Sequence, residues 1–211
     1  MTVDIPNAFI QTGMPPRKIG EQIIMKVRGV LVDWLVKINP LTYSPYVVIE
    51  RGKKVLYLEI LRAIYVMLEA SLFWYRKFKK ELEEIGFEFN NYDPCVANRV
   101  KYNNQHTIRF HLDDVMSSHV NPKVNDEFGE WAQRKYGELK PVTIVRGKIH
   151  KFLGMTFDFS KPGEVHVIQK DHVMDIIRSW PENLKGKTSL TPVSDDLFKR
   201  GHGRLLNKEE K

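Results

Sequence analysis

The chain has 211 residues, 42% of them hydrophobic, enough for a buried core in one globular unit or two small lobes and too many for a disordered segment. Lys and Arg number 33 against 26 Asp and Glu, a formal charge of +7 with a pI near 9.3, which favours polyanionic partners such as nucleic acid over acidic proteins or free metabolites. The single cysteine, Cys95, excludes an internal disulfide and a thiolate zinc cluster, no apolar run approaches the roughly 20 residues that span a bilayer, and residues 1–20 lack a signal-peptide pattern, so a soluble intracellular protein is expected.

In chain order, Thr2 to Phe9 read as a strand carrying Asp4 that ends at Pro6-Asn7 and turns into a short helical segment. Between Met25 and Val55 the pattern is ambiguous, and Val30–Val36 fits helix or strand. From about Glu59 to Ile85 apolar residues recur every three or four positions (Leu61, Ile64, Tyr65, Leu68, Leu72, Tyr75, Phe78, Leu82), with Gly86 as the stop, which predicts one long amphipathic helix. Phe87 to Tyr102 is broken by Asn90, Asn91 and Pro94. Asn103-Asn104 then offers a hairpin turn into the strand Thr107–Leu112, which closes on Asp113 and Asp114 before Val115-Met116.

Downstream, Pro122 to Tyr136 reads as a helix with Val124, Phe128, Trp131, Ala132 and Tyr136 on one side. Val142–Val145 and Phe152–Phe159 read as strands, Lys161-Pro162-Gly163 as a turn, Val165–Ile168 as a returning strand and Asp171 to Trp180 as a helix, ahead of a polar tail beyond Pro192. The Trp34, Trp74, Trp131 and Trp180 rings are expected in the core or in groove walls. Helices mixed with antiparallel hairpins make the class α+β.

Strand alternation places Ile108, Phe110 and Leu112 on an apolar face and Arg109, His111 and Asp113 on the opposite one. Asp113 and Asp114 then present neighbouring carboxylates at a tight turn, an arrangement suited to a hard divalent cation such as Mg²⁺. An isolated Asp-Asp pair is also a common solvated turn, so a third carboxylate from elsewhere in the chain is needed.

Asp4-Ile5-Pro6-Asn7-Ala8-Phe9-Ile10-Gln11 resembles the first catalytic segment of copia-like retrotransposon reverse transcriptases, and Phe110-His111-Leu112-Asp113-Asp114 resembles their second. Between these, Ala63-Ile64-Tyr65 and Trp74-Tyr75-Arg76-Lys77 are similar to the family's helix, and Gly86-Phe87 through Tyr92-Asp93-Pro94-Cys95 to the hairpin after it. Tyr136-Gly137-Glu138-Leu139 and Phe152-Leu153-Gly154-Met155 resemble the passage into the thumb. The order and spacing of these landmarks, over roughly residues 2 to 198, carry the resemblance.

The resemblance implies a right-hand polymerase palm, an antiparallel sheet with helices on one face, over residues 1–140. A small thumb-like connection follows over 141–198 and a polar tail over 199–211, with the fingers largely missing. Asp4, Asp113 and Asp114, with the backbone carbonyl of Ile5, would hold two Mg²⁺ ions, or Mn²⁺, for addition of deoxynucleoside triphosphates to a primer on an RNA or DNA template. Phe9 matches the aromatic gate that excludes a ribose 2′ hydroxyl. Glu69 stands where the family carries a glutamine that touches nucleotide or template, and His111 where it often has Tyr or Val. The implied location is the cytoplasm or the element's virus-like particle.

Two basic clusters are candidates for a phosphate backbone. Arg146, Lys148 and Lys151 precede the thumb-like segment, while Arg76, Lys77, Lys79 and Lys80 share the long helix with Glu81, Glu83 and Glu84 and read equally well as a solvated face of ion pairs. Two other functions fit the same residues. One is a truncated, inactive retroelement fragment that binds nucleic acid without turnover. The other sets the resemblance aside and treats His111, Asp113, Asp114 and His119 as the mononuclear Zn²⁺ or Mn²⁺ site of a hydrolase.

Overall fold

A computed structural model describes residues 1–18 and 20–179. Two compact units divide the chain, Met1–Ile168 and Gln169–Lys211. The palm boundary expected at residue 140 falls inside the first unit. The described part of the second is one amphipathic helix, Lys170–Ser179, where the apolar periodicity predicts it; Trp180 and the polar tail lie outside the described residues.

In the first unit the strands are β1 (Thr2–Asp4), β2 (Ile24–Arg28), β3 (Val47–Glu50), β4 (Lys53–Glu59), β5 (Glu88–Phe89), β6 (Val96–Lys101), β7 (Asn104–His111), β8 (Asp114–Ser118), β9 (Thr143–Val145), β10 (Ile149–Phe152), β11 (Met155–Asp158) and β12 (His166–Ile168). Its helices are α1 (Val30–Ile38), α2 (Pro40–Tyr43), α3 (Ala70–Glu84) and α4 (Pro122–Tyr136). The class is α+β with antiparallel pairing throughout the described sheets. A six-stranded sheet runs β5-β6-β7-β8-β1-β9, and two three-stranded sheets run β10-β11-β12 and β2-β4-β3.

The six-stranded sheet is built on alternation. Val3 pairs with Val115, which pairs with Phe110, and Ala97 pairs with Ile108. All five are buried with Trp74, Phe78 and Leu82 of α3 and Phe128, Ala132 and Tyr136 of α4 in one core. One face of the sheet is thus covered by helices. Along the helices the buried positions recur every three to four residues, as an amphipathic stripe requires. Helix α4 has the bounds the sequence predicts, with the Asn121 side chain capping Lys123 N–H and Pro122 opening the first turn. The end of α3 is a Schellman motif: Gly86 at φ 87° donates to Glu83, Phe87 N–H donates to the Leu82 carbonyl, and both Phe87 and Leu82 are buried.

The start of α3 differs from the helix expected from Glu59. Residues 60–63 spend their backbone groups on other segments of the chain instead: Ile60 N–H donates to Ile23, Ala63 N–H to Thr12, and the Leu61 carbonyl accepts from Met14. Val66 at φ 79° is incompatible with a helix, so α3 begins only at Ala70 and leaves Tyr65 outside it. Two turns also shift. The β6-β7 hairpin turns on Tyr102-Asn103, both at positive φ as a type I′ turn demands, one residue before the expected Asn103-Asn104. The run expected as one strand over Phe152–Phe159 folds back at Leu153-Gly154, at φ 51° and 72°, to make the β10-β11 hairpin.

The ambiguous segment resolves into β2, α1, β3 and β4 around a small core of Val27, Val32 and Leu56. Trp34 is exposed on α1, not in a core or groove wall, whereas Trp74 is fully buried and Trp131 packs against the main core.

Candidate active site

Strand β1 lies between β8 and β9, and its register decides the site. Asp4 is the direct cross-strand partner of Asp114, and Asp114 in turn faces His111. Directly opposed residues point to the same side of a sheet, so Asp4, Asp114 and His111 form a row on the face that the helices leave open. Thr143 of β9 extends this row on the far side of Asp4. Carboxylates 110 positions apart in sequence become neighbours because Val3 and Val115, one residue away on each strand, must both face the helices.

Asp113 reaches the same place from the turn. The β7-β8 hairpin has a two-residue loop, Leu112-Asp113, since His111 pairs with Asp114. Leu112 is therefore not the last residue of the apolar strand face. It sits at φ 54° and is 37% exposed. A left-handed leucine costs roughly 1–2 kcal/mol, so something must hold it. Ile5 N–H donates to the Asp113 carbonyl at 3.1 Å from the β1 side, and the Trp74 indole donates to the Leu112 carbonyl at 2.7 Å from α3. Backbone strain pinned at such a turn is a recurrent property of functional sites.

The electrostatics follow from this crowding. Partial burial, reinforced by the charges of Asp113 and Asp4, holds the Asp114 carboxyl above the ordinary carboxylate range, with His111 opposing. Repulsion of this kind is what a divalent cation relieves. The donors, carboxylate oxygens with a neighbouring backbone carbonyl, are those a hard cation takes. Among the described residues, however, no three His, Cys, Asp or Glu side chains are already gathered as a metal cage. A small pocket of 130 Å³ lies against the row, lined by Asp4, Asp114, Thr143, Lys151 and Phe152.

The Phe9 ring is buried to 8% exposure and meets Tyr65 at a centroid distance of 4.7 Å and a tilt of 57°. Burial, then the charges of Asp113 and Asp4, raises the Tyr65 phenol above its ordinary range, so this half-exposed ring stands in the field of the carboxylates. Tyr65 is a site residue that helical periodicity concealed; its position beside Phe9 follows from the non-helical path of residues 60–69. Trp74 was legible only as an apolar helix position, because its indole partner lies on a turn 38 residues away.

Glu69 makes a 2.6 Å ion pair with Arg17. Of the basic residues, Lys151 lines the pocket at the carboxylates, while Arg146 and Lys148 line a larger cleft of 540 Å³. Arg146 is engaged there by Asp126 at 3.0 Å and by the Pro122 carbonyl at 3.1 Å. On α3, Lys77 and Lys79 pair with Glu81 and Glu83 at i to i+4; the Lys79–Glu83 pair is exposed, whereas Glu81 is largely buried and also accepts from the Tyr136 hydroxyl and pairs with Lys135.

The mononuclear hydrolase site is not assembled. His119 follows the far end of β8, five residues or roughly 16 Å of strand from Asp114. Its ring is held by the Lys101 carbonyl at 3.0 Å and by Asn121 N–H at 2.9 Å. Among the described residues no helix is long and apolar enough to cross a membrane. No family model matches the sequence, and neither a curated protein nor a solved structure matches it.

Proposed function

We propose that this chain is the palm of an RNA-directed DNA polymerase of the copia-like retroelement type, followed by a small thumb-like segment. The observation that carries the reading is the cross-strand pairing of Asp4 with Asp114, together with the Ile5 to Asp113 hydrogen bond. Three acidic residues that the resemblance selected from opposite parts of the chain lie on one hairpin and its neighbouring strand.

In this reading the three carboxylates and the Ile5 carbonyl hold two Mg²⁺ or Mn²⁺ ions, which when bound supply Lewis-acid polarisation of a primer 3′ hydroxyl and of the triphosphate. Asp113 and Asp114 are oriented by the turn that Trp74 and Ile5 pin, and Asp4 by its place between two strands. Phe9, backed by Tyr65, forms the wall beside the sugar. Glu69 approaches the nucleotide already neutralised by Arg17, which limits its repulsion of phosphate.

Primer extension on poly(rA)·oligo(dT) with dTTP, run on this chain and on a version extended at its N-terminus, tests the proposal. Incorporation should require Mg²⁺ or Mn²⁺ and fall to background with Asp113→Ala. Among the described residues no three-residue cage is gathered in advance, which leaves room for a second reading, a retroelement fragment that binds nucleic acid without turnover. Duplex binding with no incorporation by either version selects it.

A further inference from the structure

Helix α1 is apolar on two sides, and the fold covers one of them. Val32, Leu35 and Val36 face the small core that holds Val27 and Leu56. With about 3.6 residues per turn, Leu31, Trp34 and Ile38 fall on the opposite side as one stripe, with Val30 at its edge. Trp34 is 57% exposed, Ile38 78%, and Leu41, on the short helix α2 that follows, 91%. A helix apolar around most of its circumference belongs inside a structure, not on its surface.

The charges of α1 lie on one flank of that stripe. Asp33 and Lys37 are one turn apart on the same side. Asp33 accepts from Lys54 at 2.6 Å through one carboxylate oxygen, and Lys37 has no ion pair among the described residues. An antiparallel copy of the helix, related by a two-fold axis near residues 34 and 35, matches this layout. Leu31 then meets the partner's Ile38, the two Trp34 rings meet at the axis, and each Asp33 comes opposite the partner's Lys37. An anionic lipid surface would take the stripe but repel Asp33. Val30, Leu31, Trp34, Ile38 and Leu41 leave roughly 600 Å² exposed per copy, or ~1,200 Å² for a pair, which reaches the lower bound of a specific, stable protein interface.

We propose that the chain self-associates as a two-fold dimer through α1, the stripe of Leu31, Trp34 and Ile38 packing antiparallel on its own copy. The modest area makes this a micromolar, concentration-dependent association. It is independent of the polymerase reading, because none of the three carboxylates takes part.

Sedimentation equilibrium of the full chain from about 1 to about 200 µM tests the proposal: the mass should rise from 24.7 kDa toward twice that value. Trp34→Glu should weaken association by more than about 100-fold and, as a change at an exposed position, leave Tm within about 2 °C. Lys37→Glu sets like charges opposite each other and should weaken association about tenfold, and Asp33→Lys should do the same. Mixed in equal amounts, these two variants should associate with each other more tightly than either does with itself, because both cross-pairs become opposite in sign. A chain that stays monomeric throughout the range overturns the inference, and one that does so while co-sedimenting with phosphatidylserine vesicles replaces the copy with a lipid surface. A dimer insensitive to Trp34→Glu, or no preference for the mixed pair, overturns it as well.

Discussion

The indole N–H of Trp74 donates to the carbonyl of Leu112 at 2.7 Å, tying the middle of the long helix to the turn that presents Asp113. Trp74 is fully buried and stacks on Phe78 at 5.4 Å, so the donor cannot swing to another partner. Trp74→Phe keeps an aromatic ring but deletes the donor together with part of the buried indole. We expect a loss of about 1–2 kcal/mol, or roughly 3–6 °C in Tm for a chain of this size. Incorporation should fall further than the folded fraction does, as judged by extension assays run well below Tm. An unchanged extension rate in a destabilised variant would show that the turn needs no such tie.

Crowding of the carboxylates predicts opposite effects on stability and activity. The Asp114 carboxyl is raised in the folded chain, so it favours folding in its protonated form. That contribution is present below the unfolded carboxylate range and is lost as pH rises through the raised value. At neutral pH the ionised side chain therefore opposes folding, and Asp114→Asn should raise Tm. Solvent screening keeps the gain below about 1 kcal/mol, or a few degrees at most, while incorporation is lost. Mg²⁺ should raise the Tm of the unsubstituted chain and have little effect on Asp114→Asn; thermal scans with and without the ion check both.

A buried polar chain runs through the sheet behind the site. Arg99 Nε donates to His106 Nδ1 at 3.2 Å, which makes that nitrogen an acceptor and leaves the proton on Nε2 to donate to Ser117 Oγ at 2.8 Å; Ser117 donates in turn to Asn125 Oδ1 at 2.8 Å. Burial first, then the charge of Arg99, lowers His106 to about 3. A histidine depressed in the folded state supports folding above its unfolded value of 6.5, and that support is lost as pH falls from there to about 3. Stability measured by urea unfolding should therefore drop by about 1.4 kcal/mol for each pH unit in that window. His106→Gln should be less stable at pH 7 and should flatten the slope. Equal slopes for the two proteins would remove His106 as the cause.

Phe9 and Tyr65 supply a specificity test. On the polymerase reading, Phe9→Val opens space beneath the sugar and should raise UTP incorporation relative to dTTP by more than about tenfold, the order a lost steric contact is worth. It should also cost about 2 kcal/mol of stability for the buried ring. Tyr65→Ala, which uncovers the Phe9 ring, should shift the ratio the same way by less. Single-nucleotide addition reads both, and an unaltered ratio in Phe9→Val dismisses the gate.

Local chemistry sufficed for much of the fold. Helix α4 was legible because Asn121, Pro122 and a three-to-four residue apolar stripe all agree, and the end of α3 because Gly86 alone can take the left-handed position there. The antiparallel class followed from alternation and turn residues. The β2, α1, β3 and β4 region was not legible, because Val30–Val36 fits either period and only the packing of Val32 against Val27 and Leu56 chooses helix.

By itself the sequence determined which residues could share a chemistry: Asp4, Asp113 and Asp114 by resemblance, and an open polar face on β7 by alternation. Tertiary structure decided that β1 would insert between β8 and β9, that Tyr65 would leave the helix to stand beside Phe9, and that His119 would lie at the far end of its strand. The physical reason is that register and strand order are set by burial of Val3, Val115 and Phe110 against α3 and α4, a choice made between segments over a hundred residues apart. Periodicity reports which face of each segment is apolar; only packing reports which segment it meets.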